Sequence, residues 1–265
     1  VGGSALAEAE VEYQDKNSFS IDVAFAIENQ QSFADSIGGL EGEGDISVVI
    51  WTTTPWTLPA NQAVSVHAEL DYVVVECVVG EGAKQRLVLA EALHESALQR
   101  YDVNEFKIVG RFKGEAIENV SLCHPFYDKT VPVILGEHVT TEAGTGCVHT
   151  APDHGVEDFV VSKRYGIETI NLVGDNGVYN ENTELFAGQH VYKVDEPIIE
   201  VLKEHQRLLA VEKIRHSYPH CWRTKTPLIY RATPQWFIGM EQHGLLDSVK
   251  AAVEGVQWVP DWGRA

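Results

Sequence analysis

A mixed α+β fold is what the sequence predicts, an antiparallel β-barrel-like core with peripheral helices. Three observations lead there. Stretches that alternate apolar and polar residues, or run apolar over strand length, outnumber those with helical spacing. Turn signals recur at short intervals. Strand and helix patterns do not alternate regularly, which argues against a doubly wound sheet.

Residues 8–27 carry Val11, Tyr13, Phe19, Ile21, Val23 and Phe25 on one parity and predict one or two strands. A Gly-rich acidic loop follows at 36–45. Residues 46–54 read as a buried strand, which Pro55 and Pro59 break into an irregular loop. Residues 72–79 and 85–89 flank Gly80-Glu81-Gly82 and predict a hairpin. A short helix is expected at 91–101, and short strands at 105–112, 131–135 and 146–150. Residues 155–165 are helical in pattern and stop at Gly166. At 195–208, Ile198, Ile199, Val201, Leu202 and His205 fall at helical spacing, with Pro197 in the first turn. Residues 209–218 and 227–240 read as strands, and 241–253 as a closing helix.

The chain has 265 residues, 44% of them hydrophobic, which excludes a largely disordered protein. No apolar run reaches the ~18 residues of a membrane span. The first residues have neither a basic nor an apolar leader region, so no secretory signal is read. The chain does not begin with Met, its only Met being Met240, and is expected to be an excised piece of a longer protein. Twenty Lys and Arg face 39 Asp and Glu, a net charge of −19. Such a surface repels nucleic-acid backbone at long range, so a nucleic-acid partner needs a local patch. The nearest to one is 215–231, with Arg223, Lys225 and Arg231 among Tyr218, Trp222 and Tyr230; it serves RNA backbone or simply guards a strand edge. The four cysteines are scattered without a CxxC pair, as in a reduced, intracellular chain.

Two segments carry chemistry. In Trp51-Thr52-Thr53-Thr54-Pro55-Trp56-Thr57-Leu58-Pro59-Ala60-Asn61, four threonines and an Asn crowd a strand-to-loop break. Threonine is ordinary strand material. At this density, beside backbone groups freed by proline, the hydroxyls make a polar surface able to hold water and a small ligand. In the second, Gly144-Thr145-Gly146-Cys147-Val148-His149 leads through Asp153 to Glu157 and Asp158. The glycines allow close backbone approach, Asp153 suits an N-cap, and the two acids suit the first helical turn. Asp158 either serves the helix dipole or faces inward to bind a ligand ammonium. His149 and His154, five apart, match no zinc pattern, and neither does His216-His220-Cys221. There is no G-x-S-x-G elbow and no phosphate-binding glycine loop.

At these two segments the chain resembles the editing insertion (connective polypeptide 1) of bacterial isoleucyl-tRNA synthetases. The likeness extends to residues 5–13, 216–237 and 255–265, so it covers nearly the whole chain. Valyl and leucyl relatives typically carry Thr-Thr-Arg-Pro where this chain has Thr52-Thr53-Thr54-Pro55, and Lys or Met in place of His149.

The resemblance implies hydrolysis of mischarged valine, as Val-tRNA(Ile) or as valyl-adenylate, in a cytoplasmic protein. Asp158 would pair with the α-ammonium. His149 would exclude the extra methyl of isoleucine, and Trp51 would line the pocket. Thr52, Thr53, Thr54 and Thr57 would hold the attacking water and the terminal ribose, with Asn61 supporting them. The partners implied are the tRNA(Ile) acceptor end and valine or valyl-adenylate, bound by a monomer with no membrane. No metal or cofactor is implied; where some relatives have a Cys-x-x-Cys knuckle, Cys221 is followed by Thr224. Residues 1–15 are expected to be a ribbon strand, 16–215 the editing body, and 216–265 the return ribbon and C-terminal helix. The rivals are a docking module without catalysis and an editing domain of other specificity.

Overall fold

The computed structural model describes Gly3 and residues 5–264; Val1, Gly2, Ser4 and Ala265, at the ends of the predicted ribbon and C-terminal segments, lie outside them. The chain divides into two units, Val1–Ala232 and Thr233–Ala265.

The first unit carries two sheets. The larger has six strands: β1 (Val11–Ala26), β2 (Asp45–Thr52), β4 (Asp71–Val78), β5 (Lys84–Ala90), β6 (Phe106–Lys113) and β10 (Leu208–Cys221), in the order β10-β1-β2-β5-β4-β6. The smaller has β3 (Ala63–Val66), β7 (Ser121–Cys123), β8 (Thr130–Leu135) and β9 (Val148–Thr150), in the order β7-β8-β3-β9. The predicted antiparallel barrel is therefore corrected. Among the described residues the sheets stay open, with β10 and β6 as edges of one and β7 and β9 as edges of the other. Two pairings, β2·β5 and β3·β8, are parallel. Alternation along a strand reports which faces are buried, not which neighbour it pairs with, so it carried no information on closure.

The apolar runs follow from this layering. Tyr72, Val73, Val74 and Val75 of β4 are all fully buried, because the central strands are covered on both faces. On one face Ile21, Val23, Phe25, Val48, Ile50 and Val74 pack with Val64, Val66 and Val133 of the smaller sheet. On the other, Val49, Val73, Val75, Leu87 and Leu89 pack against Leu98 and Tyr101, at the end of α2 (His94–Arg100). Each such side chain contributes about 1.5–3 kcal/mol on burial.

Four α-helices lie among the described residues of this unit: α1 (Gln30–Ser36), α2, α3 (Val156–Arg164) and α4 (Asp195–Glu204). α1 was not anticipated; Asn29 caps it, its side chain accepting from the Ser32 N–H at 2.9 Å. The predicted helix at 195–208 ends at Glu204, and Gln206, at φ +57°, turns the chain into β10. The strand expected at 227–240 does not form. Only Pro227 bridges to His220, and prolines at 227 and 234 cannot donate to a ladder. The second unit contains α5 (Leu245–Glu254), near the expected closing helix.

Candidate functional site

The threonine segment leaves β2 and folds back through hydrogen bonds of its own. The Thr54 N–H donates to Thr52 Oγ1 (3.1 Å), and the two hydroxyls lie 3.2 Å apart. Pro55 then opens a buried 3₁₀ turn, Pro55–Ala60, where sequence had suggested an irregular loop. Within it the Thr57 hydroxyl donates to the Thr54 carbonyl (2.9 Å). Thr53 and Thr54 stay half-buried, as does Trp51, while Thr52, Thr57 and Asn61 are buried.

β3 begins two residues beyond Asn61 and pairs antiparallel with β9, Val64 opposite His149. This pairing brings the two sequence-distant segments together. His149 Nδ1 lies 2.6 Å from Asn61 Nδ2, and Nε2 lies 2.9 Å from Thr57 Oγ1. Asn61 Nδ2 also donates to the Ala63 carbonyl (2.9 Å), which fixes the amide. Nδ1 therefore accepts and Nε2 carries the proton. That proton goes to Thr57 Oγ1, whose own hydrogen is committed to Thr54. Burial, with His154 and Lys129 nearby, holds the His149 pKa down to about 3, so the ring is neutral.

Asp158 lies in the first turn of α3. Its Oδ2 accepts from the Ala151 N–H (2.9 Å), and it folds against Gly155, where a Cβ would approach the carboxylate carbon at 3.0 Å. Burial pushes its pKa up to about 6, against the lowering effect of the Ala151 bond. Asp153 is not the cap: Gly155 holds that position, and Asp153 is buried at 3% exposure facing the Ile170 N–H.

The glycines act by close approach, as their placement suggested. Gly144 (φ +83°) packs on the Trp51 ring, and a Cβ on Gly146 (φ +75°) would lie 2.2 Å from Ala90 Cβ. The Gly144 carbonyl also accepts from Arg100 (3.2 Å), which forms a two-pronged ion pair with buried Asp22.

Several supporting residues carried no sequence signal. Lys129 Nζ donates to the Asn61 carbonyl (2.7 Å) and His124 Nε2 to the Leu58 carbonyl (3.2 Å). The Tyr179 hydroxyl donates to the Trp56 carbonyl. All three bind backbone atoms of the threonine turn from distant positions, a pairing no local motif encodes. Two clefts, of about 530 and 280 Å³, are lined by none of the sequence-predicted site residues. Among the described residues no three His, Cys, Asp or Glu side chains group to hold a metal, and no helix is long and apolar enough to cross a membrane.

Residues 2–265 match the family tRNA synthetases class I (I, L, M and V). The chain belongs to that family. Over all 265 residues it is 66% identical to the isoleucine–tRNA ligase of Saccharophagus degradans and 64% identical to that of Teredinibacter turnerae. It spans 28% of the length of each of these curated synthetases. Its fold is shared with GlLeuRS-CP1, at a TM-score of 0.58 and 12% identity over 71% of this chain and 97% of that one. It is shared likewise with the P. knowlesi cytosolic leucyl-tRNA synthetase editing domain, at 0.57 and 9% identity over 72% and 96%. This class I synthetase chain thus has the architecture of an editing domain.

Proposed function

We propose that the chain is the editing portion of an isoleucyl-tRNA synthetase and hydrolyses the ester of valine mischarged on tRNA(Ile). The observation that carries this reading is the directed chain Asn61–His149–Thr57–Thr54. It makes the imidazole a neutral, fixed wall beside the threonine hydroxyls. A wall that cannot rotate or ionise suits exclusion of one methyl group. Binding alone discriminates such a difference by only ~1–3 kcal/mol, a limit for which the isoleucyl enzyme is itself a standard illustration.

In this reading Asp158 takes the α-ammonium of the valyl group on the carboxylate oxygen not held by Ala151. Thr57 is committed to His149 and Thr54, so the attacking water falls to Thr53 and the Thr52–Thr54 pair. A threonine is too weak an acid to serve as a general base, and the aminoacyl ester is already activated. Positioning the water and the ester together is then the main catalytic contribution. Residues 16–215 form the editing body, and 1–15 with 216–265 lead to the remainder of the synthetase.

The test is deacylation of Val-tRNA(Ile) and Ile-tRNA(Ile) by the chain, with Asp158→Ala alongside. Selective loss of valine, abolished by the substitution, is the expected result. Deacylation unaffected by Asp158→Ala would falsify the ammonium assignment, and equal hydrolysis of both esters would remove the role of His149.

A further inference from the structure

Charge is distributed very unevenly along this chain. Residues 213–240 hold five of the 20 Lys and Arg and none of the 39 Asp and Glu, so the rest of the chain carries a net −24. Four of the five cations, Lys213, Arg215, Arg223 and Lys225, are exposed on β10 or in the turn just after it. Lys225 is bound to Glu12, and the fifth, Arg231, is committed to the Val173 carbonyl and Asp175.

The β1·β10 register puts two of these cations, Lys213 and Arg215, on one face, while Arg223 lies in the turn beyond the ribbon. Phe19 lies opposite Lys213, and Asn17 opposite Arg215, so these two pairs of side chains share one face of the ribbon. Tyr13, 69% exposed, continues that face. Lys213 Nζ sits 5.2 Å from the Phe19 ring centre and Arg223 Cζ 5.1 Å from that of Trp222. Arg215 pairs with Asp15 at 2.7 Å, both side chains well exposed. An exposed pair of this kind is weak and exchanges readily for a phosphate oxygen. Exposed cations beside aromatic faces are the composition of a nucleic-acid-binding surface. On a body this acidic, a polyanion finds its favourable approach here and is repelled elsewhere.

We propose that the outward face of the β1·β10 ribbon, through Lys213 and Arg215, together with Arg223 in the turn that follows it, is where the phosphate backbone of the tRNA acceptor arm docks. The inference rests on the reading of the substrate as an aminoacyl-tRNA. It adds where the RNA lies and which charges hold it.

The experiment measures binding of uncharged tRNA(Ile) to the full chain over about 50–200 mM salt. Lys213→Glu/Arg223→Glu is compared with Lys107→Glu/Lys203→Glu, which changes net charge equally on other elements. The ribbon variant is expected to bind about tenfold or more weaker at low salt, with a log–log salt slope smaller by about 2. The control pair should stay within about twofold. With Val-tRNA(Ile) as substrate, KM rises and kcat holds, while cleavage of a valyl ester of adenosine alone is unchanged. Equal losses in the two variants, an unchanged slope, or no binding by the unaltered chain at low salt would each overturn the proposal. Ribbon-dependent binding without hydrolysis of either valyl ester would leave the docking face standing and remove the hydrolytic reading instead.

Discussion

His149 and Asp158 sit a few residues apart and are tuned in opposite senses. Burial holds the imidazole neutral down to about pH 3 and raises the carboxylate to about 6. Editing should therefore depend on pH in rate but not in selectivity. In the proposed role of Asp158 the ionised carboxylate takes the ammonium, so kcat/KM should climb about tenfold per pH unit below 6 and level off above it. The Val-to-Ile ratio should stay constant from pH 5.5 to 8, and paired deacylation assays across that range check both. His149→Ala would leave the Thr57 hydroxyl and the Asn61 amide without their ring partner in a buried setting, costing about 2–4 kcal/mol. Isoleucine release should appear in the same variant. Asp158→Asn should lose hydrolysis and gain stability. The folded pKa lies above the ordinary carboxylate value, so the fold prefers the protonated form and bears the cost of the charge above pH 6. The amide removes that cost while its oxygen still accepts from Ala151. Urea melts at pH 7 should show a gain of about 1–3 kcal/mol that vanishes below about pH 4.

At the scale of elements, the run from Gly144 to His149 works because it is pressed into place from several sides. Arg100 holds the Gly144 carbonyl, Gly144 lies against Trp51, Gly146 lies against Ala90, and Tyr72 donates to the Gly146 carbonyl at 2.7 Å. Gly146→Ala meets both a backbone penalty at φ +75° and a clash with Ala90, whereas Gly166→Ala, at φ +67°, has open space around its Cβ. The first should cost several kcal/mol and shift β9; the second should cost only the ~1–2 kcal/mol of a left-handed residue. Thermal melts of the two rank these terms, and equal losses would mean that the close approach is unimportant. Much of this was legible beforehand. The hairpin at 72–89, the strand ending at Thr52 and the helix after Gly155 follow from local periodicity and turn residues, and so did the glycine spacing before His149. What escaped was non-local. Lys129, His124 and Tyr179 reach the threonine turn across gaps of dozens of residues. The parallel pairing of β2 with β5 depends on the path of the chain between them rather than on either strand. The stretch 227–240 failed for another reason: its apolar residues are strand-like, but its prolines withhold the donors that a ladder requires.

Across the whole molecule, buried titratable groups oppose one another, and the balance sets the response to acid. His124 and His149 are both held near pKa 3, chiefly by burial, against an ordinary value of 6.5. Their stabilisation is complete above 6.5 and is lost as pH falls, because the unfolded chain binds protons that the fold refuses. Asp158 and Asp195 are both raised to about 6, again chiefly by burial, so the fold binds their protons more readily than the unfolded chain. Between pH 6 and 4 these aspartates offset the histidines, each fully shifted group being worth about 1.4 kcal/mol per pH unit. Below about 4 the aspartates are protonated in both states and the offset ends. His138 and His154 are lowered too and add to the acid loss. Unfolding free energy should then decline gently from pH 6.5 to 4 and steeply below. Asp158→Asn/Asp195→Asn removes the offset, so the decline between pH 6 and 4 should steepen in that variant while stability at pH 7 rises. Urea midpoints at pH 7, 6, 5, 4 and 3.5 for both proteins decide it. Parallel curves would mean that the buried aspartates are not what holds the fold together in mild acid.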